Sequence, residues 1–540
     1  MGKLRLKVMA LFLVLCLLLS GCGLFSQLLE EQFGPSVSDL PTLNETSLAE
    51  LEYTRPQQAD LQAPLDQCKA LAAEGKDLDK LIDSIYVFYD AYDLFLTNCA
   101  VADLRYYTDV TNSYWTEEST YCTNNTYLAD AALEELFYAL AKSPLLKQLE
   151  SEEYFGEGYF DAYQGEATGM DPQLLALYEQ EAAYLNEYYE LAEQFDGNYL
   201  SSAYETRWMP QFAQLYAKLI GVRQQIASFW GFGSYAEYAY AVTYSRDYTP
   251  DQAVAFMKDL QKALYDQYYY FDIDTISTGY STESQTYGYV ESAAKAMGGD
   301  VLEGFRYLTD NKLYDISYGP NKYDISYEIF LWSYQVPVLF MKPYQDQTDL
   351  LTFAHEFGHY LNDYVCAGSY AGIDVAEIHS QAFEYLSLLY ADAPEDLTRF
   401  KLYDSLCTYM ETSAYSLFEH QAYQLSGSDL TGENLIALAE EIATDFGFDA
   451  WGSNGNDFVT IGHFYTHPMY MISYVVSNDV AMQFYQLELD ESGQGLALYE
   501  ECIYSQDSQI MSFARQYGLE SPFVPGRAAT IAQTFKEALQ

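Results

Sequence analysis

The stretch LLTFAHEFGHYLNDYV, residues 350–365, puts His355 and His359, two of the chain's six histidines, four positions apart, with Glu356 directly after the first. At this histidine content a chance H-E-x-x-H is expected on the order of once in two hundred such chains, so accident explains it poorly. Thr348 or Asp349 is placed to cap a helix through the stretch. On that helix an i, i+4 spacing points both imidazoles the same way, as two ligands of a tetrahedral zinc must point. Glu356 then lies beside them as a candidate general base. The bland alternative is a pair of helix histidines satisfied by their neighbours.

A catalytic zinc takes three protein ligands and keeps one position open, so a third ligand is expected downstream. The segment DVAEIHSQAFEYLSLLYADAP, residues 374–394, offers Glu377, His379 and Glu384. It reads as a second helix, with Asp374 as N-cap, Val375, Ile378, Ala382, Leu386 and Leu389 on one side, and Pro394 past its end. Glu377 stands three residues after Asp374 and also fits a capping-box glutamate.

The rest of the sequence frames these two helices. From about residue 65 onward the pattern is mainly helical. TPDQAVAFMKDLQKALYDQ, residues 249–267, shows it well: Thr249 as N-cap, Pro250 at the first helical position, Gln252 closing a capping box, then Ala253, Met257, Leu260 and Leu264. Further helices are readable near 129–148, 171–195 and 208–230. QVPVLFMKPY, residues 335–344, is the exception: a β-rich run with Pro337 and Pro343 near its ends, predicted as an exposed edge strand. Such an edge would hold peptide by backbone pairing at Val336–Met341, with Val338 and Phe340 as substrate contacts. No fixed-period repeat is visible, which disfavours a solenoid.

Composition excludes whole classes of partner. With 79 acidic against 26 basic residues the formal charge is −53, which rules against nucleic acid or an anionic membrane surface and favours cationic substrates. A hydrophobic fraction of 49% with 55 tyrosines belongs to a folded protein rather than a disordered acidic chain.

The amino terminus reads as an address. Lys3, Arg5 and Lys7 precede an apolar run of about a dozen residues, too short for a spanning helix of roughly 20, and Leu19-Ser20-Gly21-Cys22 closes it. Residues 1–21 are predicted as an export signal with a lipobox, which makes Cys22 a lipid anchor on the outer side of a cell membrane. Residues 22–64 mix Pro, Ser and acidic residues and are predicted as a stalk, followed by a helical region over 65–200 and a catalytic region over 201–540. Cys68, Cys99, Cys122, Cys366, Cys407 and Cys502 form no CxxC pair. They are read as structural, with Cys99 and Cys122 the favoured partners.

PVLFMKPYQDQTDLLTFAHEFGHYLN, VAEIHSQAFEYL and the later IGHFYTHPMYMISYVVS resemble successive motifs of the zinc oligopeptidases that include thimet oligopeptidase and oligoendopeptidase F. LYAKLIGVRQQIASFWGFGSYAEYAY is similar to that family's Arg-containing helix and following G-x-x-x-Y-A-E-Y turn. The resemblance spans roughly residues 200–525. It implies a mainly α-helical metallopeptidase, with a deep channel between two helical halves that admits short unfolded peptides. It makes His355, His359 and Glu377 zinc ligands and Glu356 the general base, while Glu384 is placed to support them. Glu377 follows His359 by 18 residues, a shorter interval than the family leads one to expect.

It also implies that His463 and the tyrosines after it contact substrate and oxyanion. Pro468 is predicted in the first turn of a helix that sets Tyr470 and Tyr474 on one face, although unaided either tyrosine reads equally as core packing. WGSNGNDFVTIG, residues 451–462, is expected to be a mobile loop that lets this helix close over peptide. The expected activity is zinc-dependent endopeptidase cleavage of oligopeptides. The rivals are a non-catalytic peptide-binding lipoprotein and a helical HExxH metallocarboxypeptidase.

Overall fold

Helix α1 (Gln58–Glu74) packs along the long helix α2 (Leu78–Thr108), whose start is capped by Asp77 accepting the Lys80 N–H. Helices α3 (Ser113–Asn125) and α4 (Tyr127–Ala141) complete this N-terminal layer around a core that includes Leu65, Phe88, Phe95, Leu136 and Phe137. The last turns of α2 are buried on two faces. Cys99 and Ala102 belong to the N-terminal core, whereas Val101, Leu104 and Tyr107 belong to the larger one. One helix thereby joins the two hydrophobic bodies. The computed structural model describes residues 43–538 apart from 152–153, 157–158, 161–162, 164–171, 196, 272–278, 370 and 395. The predicted signal segment and Cys22 lie outside the described residues, as does the first part of the predicted stalk.

The described part of that stalk belongs to the body. Leu51 is buried, the Asn44 N–H donates to the Gln335 carbonyl, and Arg105 donates to the carbonyls of Leu48 and Leu51. A few apolar anchors in polar sequence are enough to dock the strand.

The larger body holds α5 (Pro172–Gln194), α6 (Met209–Phe229) and α7 (Pro250–Tyr269), then α8 (Glu283–Met297) and α9 (Gly299–Asp310). In α7 the expected cap is present: Thr249 Oγ1 accepts the Gln252 N–H and Gln252 Oε1 accepts the Thr249 N–H. Three strands follow: β1 (Tyr314–Asp315), β2 (Ser326–Leu331) and β3 (Val336–Met341), in the order β1-β3-β2. β3 pairs antiparallel with β2 from Leu331↔Val336 to Ser326↔Met341, and parallel with β1 at Tyr314↔Leu339 and Asp315↔Phe340.

This corrects the edge-strand expectation. β3 is the central strand, and all six of its residues are buried. β1 reaches only Leu339 and Phe340, so Pro337 lies beyond its end, where no ladder donor is needed on that side.

Helix α10 (Thr348–Cys366) runs beneath the sheet and is followed by α11 (Ile373–Tyr390), α12 (Leu397–Cys407), α13 (Ser413–Ala422) and α14 (Gly432–Asp445). The chain ends in α15 (Ile472–Asp490), α16 (Gln494–Cys502), α17 (Ile510–Gln516) and α18 (Arg527–Ala538). α11 lies between α10 and α15. Gly358 makes the first of these contacts possible: a Cβ there would stand 2.5 Å from Ser380 Cα and 2.7 Å from the His379 carbonyl oxygen. Fully buried Phe357 and Phe383 meet edge to face at 5.0 Å across the same contact. Each such ring contributes about 1.5–3 kcal/mol through burial. Among the described residues no helix is long and apolar enough to cross a membrane. Cys99 and Cys122 are both fully buried free thiols, and no disulfide joins the described cysteines.

Candidate metal centre and active site

His355 and His359 project from one face of α10, their rings 4.9 Å apart and nearly perpendicular. The helix is entered without a side-chain cap. Asp346 accepts the Thr348 N–H, while Asp349, predicted as a possible cap, turns back to accept the N–H groups of Tyr344 and Gln345. On α11 the N-cap is Gly372, not Asp374, and no side-chain cap forms, so Glu377 is no capping-box residue. Its Oε2 instead faces His355 Nε2 at 3.5 Å and His359 Nε2 at 3.9 Å.

One ligand atom from each of His355, His359 and Glu377 lies within 4.8 Å of the others. Ligands about 2.0–2.1 Å from a tetrahedral zinc stand roughly 3.4 Å apart, so this His₂Glu set fits such an ion with little adjustment. The two imidazoles remain about a fifth to a quarter exposed, at 20% and 24%, whereas Glu377 is 6% exposed, so the open side of the set lies by the histidines.

Each ligand has its own support. His355 Nδ1 is 2.7 Å from Glu384 Oε1, which leaves Nε2 for a metal. Glu384 Oε2 pairs in turn with Lys401 Nζ at 2.7 Å, beneath the face of Tyr385. Burial opposes ionisation of Glu384, yet Lys401 and His355 hold its carboxyl below the usual range. Burial, reinforced by His355 and His379, pushes the His359 imidazole well down, toward the neutral form a metal ligand needs. Glu377 accepts from the Tyr470 hydroxyl at 3.1 Å on Oε1 and from Ser380 Oγ at 3.4 Å on Oε2.

Glu356 is 7% exposed. Burial, opposed by His355 and reinforced by Glu377 and Glu384, raises its carboxyl to about 7. His379, offered by the sequence as a third ligand, is 1% exposed with its ring against Phe513 and is not in the ligand set.

The downstream residues arrive by a different local structure from the one predicted. Helix α15 begins at Ile472, and Pro468 lies in the turn before it, where Met469 adopts φ +68°. Tyr470 therefore precedes the helix and Tyr474 rides on it. Their rings still meet at 5.2 Å, with His463 5.6 Å from Tyr470 and 6.0 Å from Tyr474. Tyr470 is buried, whereas His463 and Tyr474 are partly exposed. Burial pulls the His463 imidazole down to about 4, so it is neutral.

One expectation fails here. Val338 and Phe340 are 0% and 1% exposed, and Phe340 packs on Tyr107 and stacks on Tyr327 away from the ligands, so neither side chain lines the site. In the 451–462 loop Tyr204 donates to the Asn456 carbonyl at 2.7 Å, and Phe458, Val459 and Thr460 are buried.

Sequence reading missed Arg246 and Lys401 entirely. Arg246 donates to the Met469 carbonyl and to Ser473 Oγ, each at 2.8 Å. Arg223, noted only as part of an Arg-containing helix, donates to the carbonyls of Phe464 and Tyr465. For Arg223 a lone cation in an apolar helical pattern marks a buried charge, but sequence does not say which carbonyls it holds.

Residues 48–168 match the family model described as the peptidase M3 N-terminal domain. Among solved structures the chain is similar to a protein assigned as an oligoendopeptidase F, with TM-score 0.75, 18% identity and coverage of 92% of this chain and 98% of that one. PZ peptidase A with an inhibitor gives TM-score 0.75, 18% identity and coverage of 91% and 99%. Oligoendopeptidase F from Enterococcus faecium gives 0.55, 14%, and 89% and 96%. At these identities the shared property is the fold. No curated protein matches the sequence.

Proposed function

We propose, for a chain whose N-terminal domain and fold support the M3 zinc oligopeptidase family, that it is a zinc endopeptidase of short unfolded peptides. The observation that carries this reading is the convergence of His355, His359 and Glu377 within 4.8 Å, beside a buried Glu356. When bound there, zinc supplies Lewis acidity, acidifying water and polarising a peptide carbonyl.

The chain's own residues do the rest. Glu356, its carboxyl raised toward 7, takes the proton of the attacking water on a carboxylate oxygen and returns it to the leaving amine nitrogen. His463 and Tyr474, partly exposed beside the ligands, donate to the oxygen on which charge develops. Tyr470 holds Glu377 in place through the hydroxyl bond to Oε1. With β3 central, peptide backbone is held by pairing at an outer edge of the sheet, along β1 or β2. The formal charge of −53 draws basic peptides, an attraction that fades as salt rises. Residues 1–21 export the chain and Cys22 anchors it by lipid outside the membrane.

The test is cleavage of an internally quenched, end-blocked peptide by the fragment beginning after Cys22, beside its Glu356→Gln variant. Turnover lost in the variant with zinc retained supports the reading. Peptide bound but uncut by the unaltered fragment refutes it in favour of a peptide carrier, and cleavage only of peptides with a free C-terminus refutes it in favour of a carboxypeptidase. For the anchor, a Cys22→Ser chain should appear in the medium rather than with membranes.

A further inference from the structure

The turn that delivers Tyr470 to Glu377 is closed by the Tyr470 N–H donating to the His467 carbonyl at 3.1 Å, but it needs outside support as well. Met469 sits at φ +68°, a conformation costly for a side chain with a Cβ, so its surroundings must impose it. Those surroundings include one short segment, beside the Glu419 carboxylate that accepts from the Met469 backbone. The Tyr244 hydroxyl donates to the Pro468 carbonyl at 3.0 Å, and Arg246 donates to the Met469 carbonyl and Ser473 Oγ at 2.8 Å. Successive carbonyls of the turn are thus held by residues 244–246. Arg246 is itself immobilised, its guanidinium lying 4.5 and 4.4 Å from the ring centroids of Tyr240 and Tyr244. Its Nε also faces Asp374 Oδ2 at 3.6 Å, and Asp374 is in the first turn of α11, one turn before Glu377. Arg246 therefore touches both elements whose meeting makes the Tyr470–Glu377 bond.

We infer that Arg246 is a positioning residue for the reaction: it sets the Met469 turn against the start of α11, so that the Tyr470 hydroxyl fixes Glu377. This rests on the endopeptidase reading for its kinetic consequence, but not for its consequence for metal affinity. A planar fork with several donors suits the task, since one group must reach a carbonyl, a hydroxyl and a carboxylate at once.

The experiment is a double-mutant cycle between Arg246→Met and Tyr470→Phe, with zinc affinity read by chelator competition and kcat and KM read on the end-blocked peptide. Expected for Arg246→Met alone is a loss of zinc affinity on the order of 10–100-fold, with kcat reduced and KM within about twofold. In the Tyr470→Phe background the same change should cost less than about threefold more, because the bond it serves is already gone. Arg246→Lys should recover part of the loss.

Equal losses in both backgrounds, or a change in KM alone, would overturn the proposal. Should Arg246→Met fail to fold, Tyr244→Phe removes one hydroxyl from the same turn and replaces it in the cycle; additivity there overturns the proposal equally. An unaltered protein that binds zinc but cuts no peptide would sink the endopeptidase reading and leave the affinity cycle to decide this one.

Discussion

The Tyr470 hydroxyl donates to Glu377 Oε1 at 3.1 Å, although the two residues stand 93 positions apart in the chain. The tyrosine supports the carboxylate rather than facing open space. Tyr470→Phe should therefore keep the fold and weaken zinc binding by about 10–100-fold, read by competition with a chromophoric chelator. Unchanged affinity would return Tyr470 to a role toward substrate alone.

Gly358 lies between the two histidines of α10 because α11 crosses there backbone to backbone. Gly358→Ala puts a methyl 2.5 Å from Ser380 Cα, and neither helix can yield without carrying ligands with it. The expected outcome is destabilisation of about 3 kcal/mol or more, together with a loss of zinc from the purified protein. Normal metal content at an unchanged melting temperature would show that the helices separate freely.

Glu384 joins His355 to Lys401. Glu384→Leu should lower zinc affinity and destabilise the fold by about 3 kcal/mol, because Lys401 is left buried with its charge poorly met. Asp404, 3.5 Å from Lys401, relieves part of that cost. Adding Lys401→Met should restore much of the melting temperature but none of the zinc affinity. Recovery of both would mean that His355 needs no partner.

Asp103 is buried in the N-terminal body, where it accepts from Ser119 Oγ at 2.5 Å, and burial raises its carboxyl to about 7 against a reference of 3.8. The folded state thus binds the proton more tightly than the unfolded chain. The stability it contributes is fully present below about pH 4 and is lost as pH rises through about 7. Asp103→Asn keeps the acceptor and removes the titration, so it should gain about 1–3 kcal/mol at pH 8 and little at pH 5, read by urea unfolding. Equal effects at the two pH values would refute the assignment.

Cleavage of Lys- and Arg-rich peptides should slow as sodium chloride is raised from about 0.01 to 0.5 M, while neutral peptides change little, because screening acts only on the charged pair. Parallel curves for the two peptide classes would remove the electrostatic bias.

What sequence reveals of this site is what is local. His355, Glu356 and His359 are set by helical spacing over five residues, and Glu377 by its place on the next helix. Glu384 is legible as a support through the resemblance, but Lys401, Arg246 and the Tyr470–Glu377 bond are not, because they join residues 17 to more than 200 positions apart. Pro337 signals an edge, yet β3 is central. Its neighbour β1 is only two residues long and pairs beyond the proline, so a central strand tolerates it. The turn before α15 escaped for a related reason: Pro468 fits a first helical turn, but two buried arginines draw the surrounding carbonyls elsewhere.

All three candidate metal ligands belong to one helical hairpin, and only 18 residues separate His359 from Glu377. Closing so short a loop sacrifices little chain entropy, and contacts of low sequence separation form early. The candidate set is therefore assembled by one local contact, between α10 and α11, which α15 covers from the other side of α11.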